Sequence, residues 1–81
     1  MHTKALITLR KAKSLTQEQL ATLAQVNRST LAQYESGKLR VMPAEKVYRL
    51  ARALQMPMEL LYVSLYPEVG QEEEHGDASE P

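Results

Sequence analysis

The 81-residue chain contains no cysteine. This excludes disulfides and thiolate metal sites, and it fits a reducing cytoplasm. No apolar run approaches the roughly 20 residues of a membrane span. The start, MHTKALITLRKAK, also lacks the continuous apolar stretch of a signal peptide. A soluble cytoplasmic protein with no membrane partner is therefore expected. Histidine is nearly absent: His2 and His75 lie near opposite ends and read as solvated side chains rather than ligands. No metal and no cofactor is expected. The chain has no glycine-rich phosphate loop and no inward-facing pair of carboxylates. So small a core leaves no room for a substrate cavity of usual size, and an enzyme is not expected.

Acidic residues are scarce over most of the chain and crowded at its end. Residues 1–66 hold ten Lys and Arg against four acids (Glu18, Glu35, Glu45, Glu59), a net charge of +6. Residues 67–81 hold six acids and no Lys or Arg, a net charge of −6. The formal total of zero hides a basic body joined to an acidic tail. The body alone has the electrostatics of a phosphate binder. The tail, with its clustered acids and two glycines, cannot bury enough apolar surface to offset its ordering entropy, so it is expected to be disordered. The predicted organisation is one small domain, 1–66, followed by the tail, 67–81. A domain of this size is marginally stable by itself, and dimerisation would help it.

The stretch Leu15 to Lys38, LTQEQLATLAQVNRSTLAQYESGK, organises the rest. Thr16 precedes Gln19 by three residues, which is a capping box, and Asn27 can cap a second helix. Two short helices, about Gln17 to Ala24 and Arg28 to Ser36, are therefore predicted with a very short turn between them. Leu20, Ala21 and Ala24 form one face of the first. Leu31 and Tyr34 form the inner stripe of the second, and Val26 plugs the corner. Small Ala21 suits a close helix crossing. The outward face of the second helix then carries Arg28, Ser29, Ala32 and Gln33. Arg can bond guanine and Gln adenine in bidentate fashion, Ser can bond either sort of edge, and the Ala methyl can touch thymine. Read without the fold, that face is equally well an ordinary solvated one.

TQEQLATLAQVNRSTLAQYESGK resembles the Cro/repressor-type (XRE-like) helix-turn-helix family, whose pattern is Thr/Ser-Gln-x-x-Leu-Ala, a turn, then a recognition helix closing on Glu-x-Gly. The likeness covers about Leu6 to Leu61. It implies an all-α, lambda-repressor-like bundle of about five short helices that binds duplex DNA, generally as a two-fold dimer, and controls transcription. It also implies a structural ion pair, Arg10 with Glu35, tying the first helix to the third, with direct DNA contact by Arg10 as the alternative. The turn position usually held by glycine is Gln25 here. If the left-handed geometry persists, that residue carries strain of about 1 to 2 kcal/mol.

The remaining helices follow from spacing. The first begins near Lys4, with Ala5, Leu6 and Leu9 inward and Lys4, Lys11 and Lys13 outward. Gln17, in the first turn of the second helix, is placed to meet DNA phosphate or merely to support the cap. Asn27 is a second phosphate candidate. Gly37 suits a positive-φ helix end. The loop after it leaves Lys38 and Arg40 as phosphate clamps, or as a basic finger for the minor groove. Pro43 opens a fourth helix, about Ala44 to Leu54, whose stripe is Val47, Leu50, Ala51 and Leu54, with Tyr48, Arg49 and Arg52 solvated. Pro57 opens a fifth, about Met58 to Leu65, in which Leu60 and Leu61 close the core. Met56, Met58, Tyr62, Leu65 and Tyr66 have no evident inner partner. They form either a dimer surface or the lid of a small core.

The expected function is sequence-specific binding of double-stranded DNA by a homodimeric regulator, most simply a repressor acting on an inverted-repeat operator. The other reading is an antitoxin or similar interaction module, whose fifth helix or acidic tail binds a partner protein. The charge split predicts that the tail competes with DNA for the basic face. Deleting residues 67–81 should tighten duplex binding at low salt, and an unchanged affinity there would refute the competition.

Overall fold

The computed structural model describes residues 2–68. Nearly all of the acidic tail lies outside them. Among the described residues five helices follow one another: α1 (Thr3–Ala12), α2 (Gln17–Ala24), α3 (Arg28–Ser36), α4 (Ala44–Ala53) and α5 (Met58–Leu65). The described residues contain no strand, and the fold is the all-α helix-turn-helix bundle. The limits that the sequence reading placed agree to within a residue, because the starts of α2, α3, α4 and α5 each carry a local signal.

α2 starts on a complete capping box. The Thr16 hydroxyl accepts from the Gln19 amide at 3.1 Å, and the Thr16 amide donates to Gln19 Oε1 at 2.9 Å. Asn27 Oδ1 accepts from the Ser29 amide at 2.9 Å and so caps α3. Each cap satisfies donors that a helix start would otherwise leave unpaired. Pro43 and Pro57 occupy the N-cap positions of α4 and α5. Gly37 ends α3 with φ 87°.

Three non-glycine residues, Ser14, Gln25 and Gln55, have φ near +57° and follow α1, α2 and α4. Left-handed backbone there lets the chain reverse while the helix carbonyls keep partners. Behind α2, the Val26 amide donates to the Ala21 carbonyl at 3.0 Å, and the Gln25 amide donates to the Thr22 carbonyl at 3.2 Å. The turn between α2 and α3 thus keeps the geometry usually given to glycine, with a Cβ in it. Its strain is offset by a contact that spacing alone did not reveal: Arg49 Nη1 donates to the Gln25 carbonyl at 3.0 Å. Arg49, expected to be solvated, is half-buried, and it also pairs with Glu45 one turn earlier at 2.8 Å. An exposed i,i+4 pair contributes little by itself; its use is to aim the guanidinium at the turn.

The helices pack as a closed ring. α1 lies against α3 and α5, α4 against α2 and α5, and α2 against α3. One core fills the ring, and its largest fully buried side chains are Leu6, Leu20, Leu31, Val47, Leu50, Leu54, Leu61 and Leu65, to which every helix contributes. Each such side chain contributes roughly 1.5 to 3 kcal/mol of transfer free energy, enough to dominate the local capping terms. The His2 amide donates to the Leu65 carbonyl at 2.6 Å, closing the start of the chain against the end of α5.

Two expectations for the last helix are corrected. Leu65 is fully buried rather than unpartnered, and Leu60, expected to close the core, is 55% exposed. The reason is the rotation of α5: Leu61 and Leu65, four residues apart, share the inner stripe, and this turns Leu60 and Val63 outward. Met56, Met58 and Tyr66 are partly buried against the core and serve as its lid, whereas Tyr62 remains 38% exposed.

Gln25→Gly removes the Cβ from left-handed backbone but adds freedom to the unfolded chain. The net expectation is a gain of up to about 1 kcal/mol. Urea denaturation checks it: the midpoint should rise with an unchanged slope, and a lower midpoint would mean that the turn is not strained.

Candidate nucleic-acid interface

α3 has two chemically opposed sides. Leu31, Tyr34 and Glu35 are buried, while Arg28, Ser29 and Gln33 are exposed and Ala32 is half-buried. All four predicted base-reading residues therefore fall on the side away from the core. Ala32 has the least reach of the four, as expected for a methyl group. Ser29 has a further engagement: its hydroxyl donates to Asn27 Oδ1 at 2.6 Å. Asn27 Oδ1 thus accepts twice from residue 29, which fixes the first turn of α3 at an exposed residue.

What holds this side outward is a charge network on the opposite side. Arg10 Nε donates to Glu35 Oε2 at 2.7 Å, and Nη2 donates to Oε1 at 3.1 Å. The third guanidinium nitrogen, Nη1, donates to the Leu15 carbonyl at 2.8 Å. Gln17 Nε2 adds a bond to Glu35 Oε1 at 2.8 Å. The side chains of Arg10 and Glu35 are only 12% and 4% exposed. The fork-to-fork geometry is the strong form of such a pair. The network satisfies what it buries, and no buried side-chain nitrogen or oxygen among the described residues lacks a partner.

Gln17 thus has a role that the sequence did not suggest. It was expected either to meet phosphate or to support the cap. Its side-chain amide nitrogen bridges the start of α2 to Glu35 at 2.8 Å. The signal that could have found this was positional: Gln17 is one residue from the cap, next to the segment that Arg10 also reaches.

The loop 38–42 connects α3 to α4 with Lys38 and Arg40 exposed. Its backbone is fastened from three sides. The Leu39 amide donates to the Gln33 carbonyl at 3.1 Å. The Tyr34 hydroxyl donates to the Val41 carbonyl at 3.4 Å. The Tyr66 hydroxyl donates to the Arg40 carbonyl and accepts from the Met42 amide, both at 3.2 Å. Burial first, and then the neighbouring Tyr66, raise the Tyr34 phenol above its ordinary pKa of 10.0, so it stays a donor throughout the neutral range. Met42, which the periodicity did not mark, is 4% exposed and anchors the end of the loop in the core. A single apolar residue beside a proline carries no periodic signal.

Removing one member of a buried pair costs on the order of 3 to 5 kcal/mol, whereas replacing both with apolar groups can be nearly neutral. Glu35→Leu should therefore destabilise the domain by about 3 kcal/mol, and Arg10→Met with Glu35→Leu should recover part of that loss. Denaturant unfolding of Arg10→Met, Glu35→Leu and the double variant checks this; losses that simply add would mean that the pair is not coupled.

A family model described as helix-turn-helix matches residues 6–61 of the chain. No curated protein matches the sequence closely enough to count as a relative.

Proposed function

Since the chain belongs to the Cro/repressor-type (XRE) helix-turn-helix family of DNA-binding transcription regulators, we propose that it binds a specific duplex as a homodimer and represses transcription. The observation that carries this reading is the two-sided α3, with Leu31, Tyr34 and Glu35 locked into the core and Arg28, Ser29 and Gln33 facing solvent. In such a motif the first turns of the second helix enter the major groove. Arg28 and Gln33 then read base edges in bidentate fashion, Ser29 and the Ala32 methyl add shorter contacts, and Lys38, Arg40, Asn27 and the amide of Gln17 meet phosphates.

Dimerisation falls to the outer side of α5, where Leu60, Tyr62 and Val63 are 55%, 38% and 41% exposed. Exposed leucine and valine three residues apart on one short helix are the kind of surface that a second copy covers. A two-fold pair places its recognition helices about one helical turn, ~10 bp, apart on an inverted repeat. Occupying a promoter is then sufficient for repression. The setting that follows is the cytoplasm, in association with the nucleoid. The same strip on α5 also supports the second reading, in which a different protein docks there and the chain acts as an antitoxin. Sedimentation of the isolated chain separates the two: a monomer at micromolar concentration favours the foreign partner.

Selection of tight binders from a random duplex pool tests the proposal directly and should recover an inverted repeat with half-sites ~10 bp apart. Arg28→Ala and Gln33→Ala should each relax preference at one base pair per half-site by about 1 to 3 kcal/mol, whereas Lys38→Ala should weaken all duplexes alike and flatten the salt dependence. Equal loss on target and random DNA from Arg28→Ala would refute its base-reading role.

A further inference from the structure

We propose that Tyr66 is a positioning residue for phosphate contact, its hydroxyl shaping the loop that presents Lys38 and Arg40. The inference rests on the duplex-binding reading above and adds to it a residue from the far end of the fold.

The loop between Gly37 and Pro43 has no regular structure. Its side chains anchor it only in part: Leu39 and Met42 pack on the core, but Val41 is 79% exposed and Lys38 and Arg40 lie in solvent. Between the two anchors, the backbone of Arg40 and the amide of Met42 both depend on one oxygen. Tyr66 donates its proton to the Arg40 carbonyl and accepts from the Met42 amide, each at 3.2 Å. A phenol can do both at once, which a lone carbonyl or amide cannot. The two bonds straddle residue 41 and close the loop into a fixed curve beside the cation at position 40.

Tyr66 is itself well placed to hold that curve. Its ring is partly buried against the core, and it lies 5.0 Å from the Tyr62 ring at 40°. The Tyr34 hydroxyl supports the next carbonyl along the loop from the side of α3. The basic loop is thus suspended between the recognition helix and the end of α5. A loop held in its bound shape loses less freedom when it meets the duplex.

The test uses the full chain. Tyr66→Phe keeps the ring and its packing and deletes only the oxygen. Duplex affinity would be titrated from about 50 to 200 mM salt for wild type, Tyr66→Phe, Arg40→Ala and the double variant, with thermal unfolding of each. Tyr66→Phe should lower affinity by up to about tenfold, because the loop must then be ordered on binding. It should also reduce the log–log salt slope by up to about 0.9 per bound subunit, as one phosphate contact weakens. In the Arg40→Ala background the same change should add little, because the group being positioned is gone.

Wild-type affinity and slope in Tyr66→Phe, with Arg40→Ala impaired, would overturn the positioning role while leaving duplex binding intact. Full additivity of the two changes would also overturn it. A wild-type chain that binds no duplex at any salt would instead sink the duplex reading, and the role of Tyr66 with it.

Discussion

The Arg10–Glu35 pair is the constraint on which the rest of the structure depends. Burying a carboxylate in a domain this small is costly unless each of its oxygens is bonded. Here the guanidinium of α1 takes both oxygens, and the amide of Gln17 takes a second bond on one of them. The same guanidinium reaches the Leu15 carbonyl just before α2. One charged cluster therefore fixes the relative setting of α1, α2 and α3. Because Glu35 lies on the inner side of α3, the setting also decides which residues of α3 face outward. The polar side is available to a duplex because the opposite side cannot turn away from its ion pair without stranding a charge.

A second set of bonds does for the loop what the ion pair does for the helix. Two phenols, Tyr34 from α3 and Tyr66 from beyond α5, hold consecutive carbonyls of the segment that carries Lys38 and Arg40. Arg49 of α4 holds the carbonyl of the strained Gln25. Each of these bonds joins a helix end or an irregular segment to a side chain elsewhere in the chain, seven residues away for Tyr34 and 24 or more for Arg49 and Tyr66. Short helices with short connections have many such ends, and this domain satisfies them with few side chains, of which Tyr66 and Arg49 are each used twice.

The outer side of α5 has a different character. Leu60 and Val63 are turned to solvent because Leu61 and Leu65 are drawn into the core. A helix as apolar as MELLYVSL cannot bury all of its residues in a bundle where it meets two neighbours, α1 and α4. The surplus hydrophobicity is left outside, where another polypeptide can cover it.

The sequence by itself determined the five helices, their ends and the two-sided character of α3. Those properties are written in local chemistry: Thr16 with Gln19, Asn27, Gly37 and the prolines before α4 and α5 act within a few residues, and the 3, 4, 7 spacing of Val47, Leu50, Ala51 and Leu54 is a property of one helix. The likeness of residues 15–38 to a known pattern also carried the pairing of Arg10 with Glu35, which no local rule supplies. Only the tertiary structure decided the rotation of α5, the bond from Arg49 to the turn, the bridging by Gln17 and the suspension of the loop by Tyr66. Each depends on how helices far apart in the chain are set against one another. On α5 nearly every residue is apolar, so periodicity cannot say which stripe faces in, and the packing of α1 and α4 against it makes that choice.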